Sequence, residues 1–222
     1  MREIFITGKN NKQLLYVTFP LLVLCFFVFQ GCANDGRPRL EMENYIIDYP
    51  VPVWEKQAQL NETIKFNRFT IATAYNNQNM IFRQDNYSID SFNYNKWAVN
   101  PADMLADSLL RDMQASGFFR AVFSRYAVEE GRYTLLGGVS EFFLRIEKSG
   151  KTAVICLDIT LKDSKQREAT KRILFQKKYR REELLKDQSP RGYCQAMSEA
   201  AQKLSQQIIT DVYQAIKLSP NK

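Results

Sequence analysis

Histidine is absent from the 222-residue chain, which excludes Ser-His-Asp and Cys-His nucleophilic catalysis, His-ligated metals and imidazole acid–base chemistry. Glycine and proline are sparse, at 9 and 7 residues, and this excludes collagen-like repeats and Pro/Gly-rich disorder. No Gly-x-x-x-x-Gly-Lys phosphate loop occurs, so ATP hydrolysis in any system using this chain belongs to a partner. What is present is 45% hydrophobic, 13% aromatic and 25% charged residues, a composition suited to one globular body plus a short processed or anchoring segment. The formal charge is +7, but Arg2, Lys9 and Lys12 against Glu3 place two of those units in the first 31 residues. The remaining body is mildly basic, which is weak ground for a nucleic-acid partner.

Arg2, Lys9 and Lys12 precede an apolar run over residues 14–29, the order of basic and hydrophobic regions in a secretory signal. The run is 16 residues long and contains Pro20, whereas a spanning helix needs roughly 20 apolar residues. Gly31 and Cys32 end it, followed by Ala33, Asn34 and Asp35. This resembles the lipobox of bacterial lipoproteins, in which a small residue precedes a cysteine that becomes the lipidated first residue. Phe29 and Gln30 depart from the Leu and small residue usual there. The resemblance implies a signal peptide over 1–31, acylation (palmitate included) at Cys32 and, because Ala33 and not Asp follows, the periplasmic face of a Gram-negative outer membrane. The competing reading is an ordinary thiol after a signal or membrane helix. Each buried methylene of an acyl chain contributes about 0.8 kcal/mol, so several chains hold a soluble domain without a spanning segment.

Residues 32–43 are polar and contain Gly36 and Pro38, a lipidated tether, and residues 44–217 read as a single domain. Strands are expected over 44–49, stopped by Pro50 and Pro52, and over 63–72. Residues 80–84 and 87–94 read as a hairpin turned by Asp85 and Asn86. Asn100, Pro101 and Asp103 announce a helix, with Ala102, Leu105, Ala106, Leu109, Leu110 and Met113 on its apolar stripe, Asp107, Arg111, Asp112 and Gln114 off it, and Gly117 as its stop. Short 118–123 and long 132–148, 151–164 and 171–182 segments read as strands; the last helix starts at Ser189 and Pro190. The apolar parity of 132–148 switches between Val139 and Phe142, which predicts a bulge near Gly137 and Gly138. The expected class is α+β: a two-layer sandwich, with a mixed, largely antiparallel sheet and two main helices on one face.

Trp97, with Tyr87, Phe92 and Tyr94, reads as core, the commoner fate of large aromatics, or as a partner or lipid surface formed by Tyr87, Tyr94 and Trp97. The run 177–181, KKYRR, reads as a solvated strand end because Glu182 and Glu183 follow at once; contact with anionic headgroups is its functional alternative. Cys156 has the parity opposite to Ile155 and Leu157, so it faces away from a helix-borne Cys194 and a disulfide is not favoured. Asp85 with Asp90 and Glu129 with Glu130 look like turns and solvated ends. No catalytic residue, cofactor or metal site is assigned.

Tyr45 to Pro50 (YIIDYP), Arg68 with Phe69, Met80 to Arg83 (MIFR), Tyr87 to Trp97, Pro101, the helix through Leu105 and Leu110, Ser116 to Phe119 (SGFF), Val122 and Ala196 to Ser198 occur in that order. In this the chain resembles the ABC-type transport auxiliary lipoprotein family, which includes the outer-membrane lipoproteins of MCE-type lipid transport. Phe82 stands where Tyr is commoner. The resemblance implies a non-enzymatic component of a trans-envelope lipid transport system. It would dock a periplasmic conduit of MCE-domain proteins, served by an ABC transporter or permease, at the outer membrane, in a homo-oligomer. The alternative is an assembly factor or plug for an outer-membrane β-barrel.

Overall fold

The computed structural model describes residues 41–219, so Cys32, the signal segment and most of the tether lie outside the described residues. The chain begins with β1 (Glu43–Tyr45), then β2 (Leu60–Phe66), β3 (Thr70–Ile71), a single 3-10 turn (Thr73–Tyr75), β4 (Asn79–Arg83) and β5 (Asp90–Trp97). Helix α1 (Pro101–Ser116) leads to β6 (Phe119–Phe123), β7 (Tyr133–Glu147) and β8 (Gly150–Asp163). A one-turn helix α2 (Ala169–Arg172), β9 (Ile173–Leu184) and the long α3 (Pro190–Leu218) follow.

Strand β7 is the spine of the sheet. One edge pairs along its length with β8, which pairs with β9, both antiparallel. The other edge receives three strands in series, all parallel: β2 with Ile64 opposite Tyr133, β3 with Thr70 opposite Gly138, and β4 with Phe82 opposite Leu144. Beyond them β6 flanks β2, β5 flanks β4 and β1 flanks β5. Five of these eight pairings are parallel. The α+β class and the mixed sheet agree with expectation, while the largely antiparallel character and the two-layer sandwich are corrected to a sheet curled into a half-barrel. The cause is the crossover through α1, which returns the chain so that β6 and β7 run in the direction of β2; parallel neighbours require such a connection.

Helix α1 forms where its termini are satisfied. Asn100 accepts a hydrogen bond from the Ala102 N–H at 3.0 Å, Pro101 occupies the first turn, and Gly117 closes the helix at φ 66°, a left-handed conformation that favours glycine. On α3, Ser189 accepts from the Gly192 N–H at 3.1 Å, and Tyr193, Met197, Ala200, Leu204, Ile208 and Val212 make a buried stripe. Against these helices β8 presents Ala153, Ile155, Leu157, Ile159 and Leu161, all buried. Val154 and Cys156 are buried on the opposite face as well. There Phe143 lies across from Val154, and the Tyr75 ring stacks on Phe143 at 6.0 Å. The parity switch in β7 is a bulge between Val139 and Glu141, two residues beyond its expected place. Gly137 serves a different purpose: a Cβ there would lie 2.4 Å from the Phe69 ring.

The last strand is shifted two residues along, to Ile173–Leu184, behind the one-turn helix α2; three other strands differ from expectation because a local or tertiary hydrogen bond wins. The first strand ends at Tyr45, since Ile46 to Pro50 bond to α3. The second divides into β2 and β3, with the Asn67 and Ala72 N–H groups donating to Leu135 and Val139 carbonyls across the break. The strand expected over 87–94 is β5, three residues later, because the Asp85 carboxylate accepts from the Tyr87 and Ser88 N–H groups at 2.7 and 2.6 Å and holds them in a turn. Leu109, 3% exposed, packs at the centre of the α1 stripe. Leu109→Ala is expected to lower stability by about 2–5 kcal/mol in chemical denaturation; a loss under half a kcal/mol would place this face outside the core.

Candidate functional site

The YIIDYP stretch is a strap laid along α3. The Ile46 carbonyl accepts from Cys194 Sγ at 3.0 Å, the Asp48 N–H donates to Ser198 Oγ at 3.1 Å, and the Pro50 carbonyl accepts from Gln202 Nε2 at 2.8 Å. Four helical residues rise about 6 Å and two extended residues about 6.6 Å, so alternate strap residues meet successive helical turns. Ile47 and Tyr49, the intervening residues, are buried. Further along, the Tyr213 hydroxyl donates to the Ala58 carbonyl at 3.0 Å, tying the strap's far end to the same helix.

Under the strap lies a fully buried carboxylate, Asp112 of α1. Its Oδ2 accepts from the Tyr49 hydroxyl at 2.8 Å and from Ser205 Oγ of α3 at 2.6 Å, while Oδ1 accepts from Arg111 Nε and NH2 at 3.0 and 2.9 Å. Arg111 also stacks over the Tyr49 ring at 4.6 Å. Burial, and next the Asp112 charge, push the Tyr49 hydroxyl far above its ordinary pKa, so it stays a donor. Strap, α1 and α3 therefore meet at one saturated acceptor. Beside it opens a cleft of about 280 Å³ between Ile46, Val99 and Met104, rimmed by Asp48, Asp107 and Arg111. A second, of about 260 Å³, lies between Trp54, Phe118 and Tyr213, rimmed by Gln206 and Gln214. Among the described residues no group of three or more His, Cys, Asp or Glu side chains is placed to hold a metal ion.

Register fixes the two ends of the sheet. The end of β4, the start of β5, the β7 to β8 turn and the end of β9 share one end. The loop between β6 and β7 crosses β2 near the start of β7, where Lys65 Nζ donates to the Glu129 carbonyl at 3.0 Å and to that of Ala127. Arg125 pairs with Asp103 at 3.0 Å and Asp107 at 3.7 Å. Held at both points, the loop leaves Tyr126 78% and Val128 92% exposed.

A model of the ABC-type transport auxiliary lipoprotein component matches residues 45–209, from the strap through most of α3. The chain belongs to this family. The auxiliary lipoprotein fold recurs in protein XCC0632 from Xanthomonas campestris, a member of family DUF330, at TM-score 0.70 and 17% identity over 78% of this chain and 95% of that one. An uncharacterised protein of solved structure superposes at TM-score 0.60 and 13% identity over 78% of this chain and 99% of the other. At these identities the likeness is one of fold. No curated protein matches the sequence.

Against the auxiliary lipoprotein frame, the residues singled out from sequence separate. Cys32 lies outside the described residues. Trp97 is fully buried, edge-on to Phe142 at 5.3 Å and Tyr193 at 5.5 Å, and so is removed from the proposed surface set: β5 turns it under α3. Tyr87 and Tyr94 are exposed, in the β4 to β5 turn and on β5. The 177–181 run is neutralised in β9: Lys177 pairs with Asp211 at 2.6 Å, Arg180 with Glu141 at 2.7 Å, and the Tyr179 hydroxyl donates to Asp211. Next to it Arg145 hydrogen-bonds Glu182, which with Arg180 beside it draws that carboxyl down to about 2. Cys156 and Cys194 are free thiols, and burial raises the Cys194 pKa. Asp112 escapes a reading of the sequence because its polarity places it off the helix stripe, although Asp112 follows Leu105 by one heptad; that spacing is the only local signal it gives. Removing this carboxylate leaves Arg111, Tyr49 and Ser205 without their shared acceptor. Asp112→Ala is expected to cost about 3 kcal/mol and to speed hydrogen exchange at the Asp48 amide; unchanged exchange there would dissociate strap from hub.

Proposed function

We propose that the chain is a non-enzymatic docking component, held at the periplasmic face of the outer membrane through lipid on Cys32. There, as an oligomer, it receives the periplasmic conduit of an MCE-type lipid transport system driven by an ABC transporter. The observation that carries this reading is the match to the ABC-type transport auxiliary lipoprotein component over 45–209. The signal segment and Gly31-Cys32 supply the anchor, and the chain's own residues supply no phosphate loop or histidine.

The loop between β6 and β7 is the part of the described chain best suited to receive a partner. Interfaces are organised by large side chains presented on a rigid frame, with polar residues at the rim. Tyr126 and Val128 meet that description, braced by Lys65 and Arg125 beneath them. A photoreactive residue replacing Tyr126 in the intact envelope is expected to crosslink an MCE-domain protein. Crosslinking to an outer-membrane β-barrel, with no MCE or ABC component, would overturn this reading in favour of a barrel plug or assembly factor.

A further inference from the structure

The described chain enters the sheet on the β1 edge, running away from the end that carries the turn between β4 and β5. Strand β1 runs parallel to β5 and pairs with its last residues, Glu43 opposite Asn95 and Tyr45 opposite Trp97, so Met42 comes level with Tyr94, inward of the start of β5 at Asp90. Along the end with the β4 to β5 turn the strand termini succeed one another in the order β9, β8, β7, β4, β5. Four inter-strand spacings make this row about 19 Å long. Two exposed apolar points stand on it: Leu184 at the end of β9, 66% exposed, and Tyr87 with Ile89 in the β4 to β5 turn, 99% and 50%; Met42 and Tyr94, 49% and 45%, lie further in, on the β1 and β5 side.

The Tyr87 point is built. Asp85 takes the N–H groups of Tyr87 and Ser88, and these bonds hold its carboxyl below the ordinary range, so the cap persists in mild acid. Arg83 NH2 donates to the Asn86 carbonyl at 2.6 Å while its guanidinium lies over Phe143 at 5.0 Å. The turn thus presents a tyrosine with almost its entire surface in water, at no cost in ordering a loose loop. An amphipathic ring projecting from a stiff turn suits the boundary between headgroups and acyl chains, where tyrosine concentrates. Charges around the row are of both signs, Glu147 and Lys148 at one turn and Lys186 and Asp187 after β9, so attraction to anionic lipid is weaker here than burial of the apolar points.

We propose that this row of strand ends, led by Tyr87 and Ile89, is a bilayer-contacting edge that seats the domain on the lipid surface from which its tether comes. The inference rests on the lipid anchor for its geometry: eight residues lie between Cys32 and Glu41, a reach of about 30 Å at most. With β7 some 45 Å long, an edge seated this way turns the Tyr126 loop away from the membrane.

The test uses the acylated mature chain on vesicles of phosphatidylethanolamine and phosphatidylglycerol. The background is Cys194→Ser, which keeps a donor to the Ile46 carbonyl, and an environment-sensitive fluorophore is placed at Tyr87→Cys or, as a control, Val128→Cys. The expected result is blue-shifted emission, quenched by brominated acyl chains, at position 87 and not at 128, unchanged in 0.5 M salt. If the chain does not float with the vesicles, the anchor reading fails. In that event a mature-length chain with Cys32→Ser, the same label and an N-terminal histidine tag, its only histidines, is held on nickel-chelating lipid, and position 87 still reports on the edge. A water-exposed label at 87 in the floating or tethered chain overturns the proposal. So does shielding seen in the native envelope but not on protein-free vesicles, which would assign the edge to a protein.

Discussion

A buried carboxylate without enough donors destabilises a core by several kcal/mol, and Asp112 escapes this only because three elements converge on it. Tyr49 comes from the strap, Ser205 from α3 and Arg111 from α1, which also carries the acid itself. None of the three could move away without leaving its own donor and part of the buried Asp112 carboxylate unpaired. The hub therefore fixes how the two long helices cross and where the segment before β2 must lie. Apolar burial around it supplies most of the favourable free energy; the hub supplies uniqueness of arrangement.

The rest of the architecture follows from that placement and from β7. With strap and helices locked on one face, β7 carries its bulge where the apolar side chains change from Val139 to Phe142. Three short parallel strands share its far edge. Long antiparallel ladders on one side and brief parallel ones on the other curl the sheet and gather five strand termini at one end. The surfaces this frame leaves uncovered include a turn with Tyr87 and a pinned loop with Tyr126.

Features written in neighbouring residues were legible. Asn100, Pro101 and Gly117 bound α1, Ser189 and Pro190 start α3, and period-two alternation identifies β8. What sequence could not convey is what distant partners decide. The residues 44–49 alternate as a strand does, and Ile47 and Tyr49 do point inward, but their neighbour is α3, about 150 residues away, and not a sheet. Parallel pairing onto β7 likewise depends on the α1 crossover. Asp112 looked like a surface residue because polarity is a good guide to exposure except where donors from elsewhere collect. Of the aromatic set, Trp97 went to the core and Tyr87 to the surface, a division set by the Asp85 turn, which moves β5 three residues along the chain.

The facing of the Tyr87 edge, the outward presentation of the Tyr126 loop and service beside an ABC-type transporter all depend on the chain being held to a membrane at Cys32. Intact-mass measurement of the mature protein extracted from membranes tests that dependence most directly. The account predicts a chain that begins at Cys32 and carries a diacylglyceryl group and an N-acyl chain, and that leaves the membrane fraction or stays unprocessed in Cys32→Ser. A mature chain with an unmodified Cys32 would contradict it.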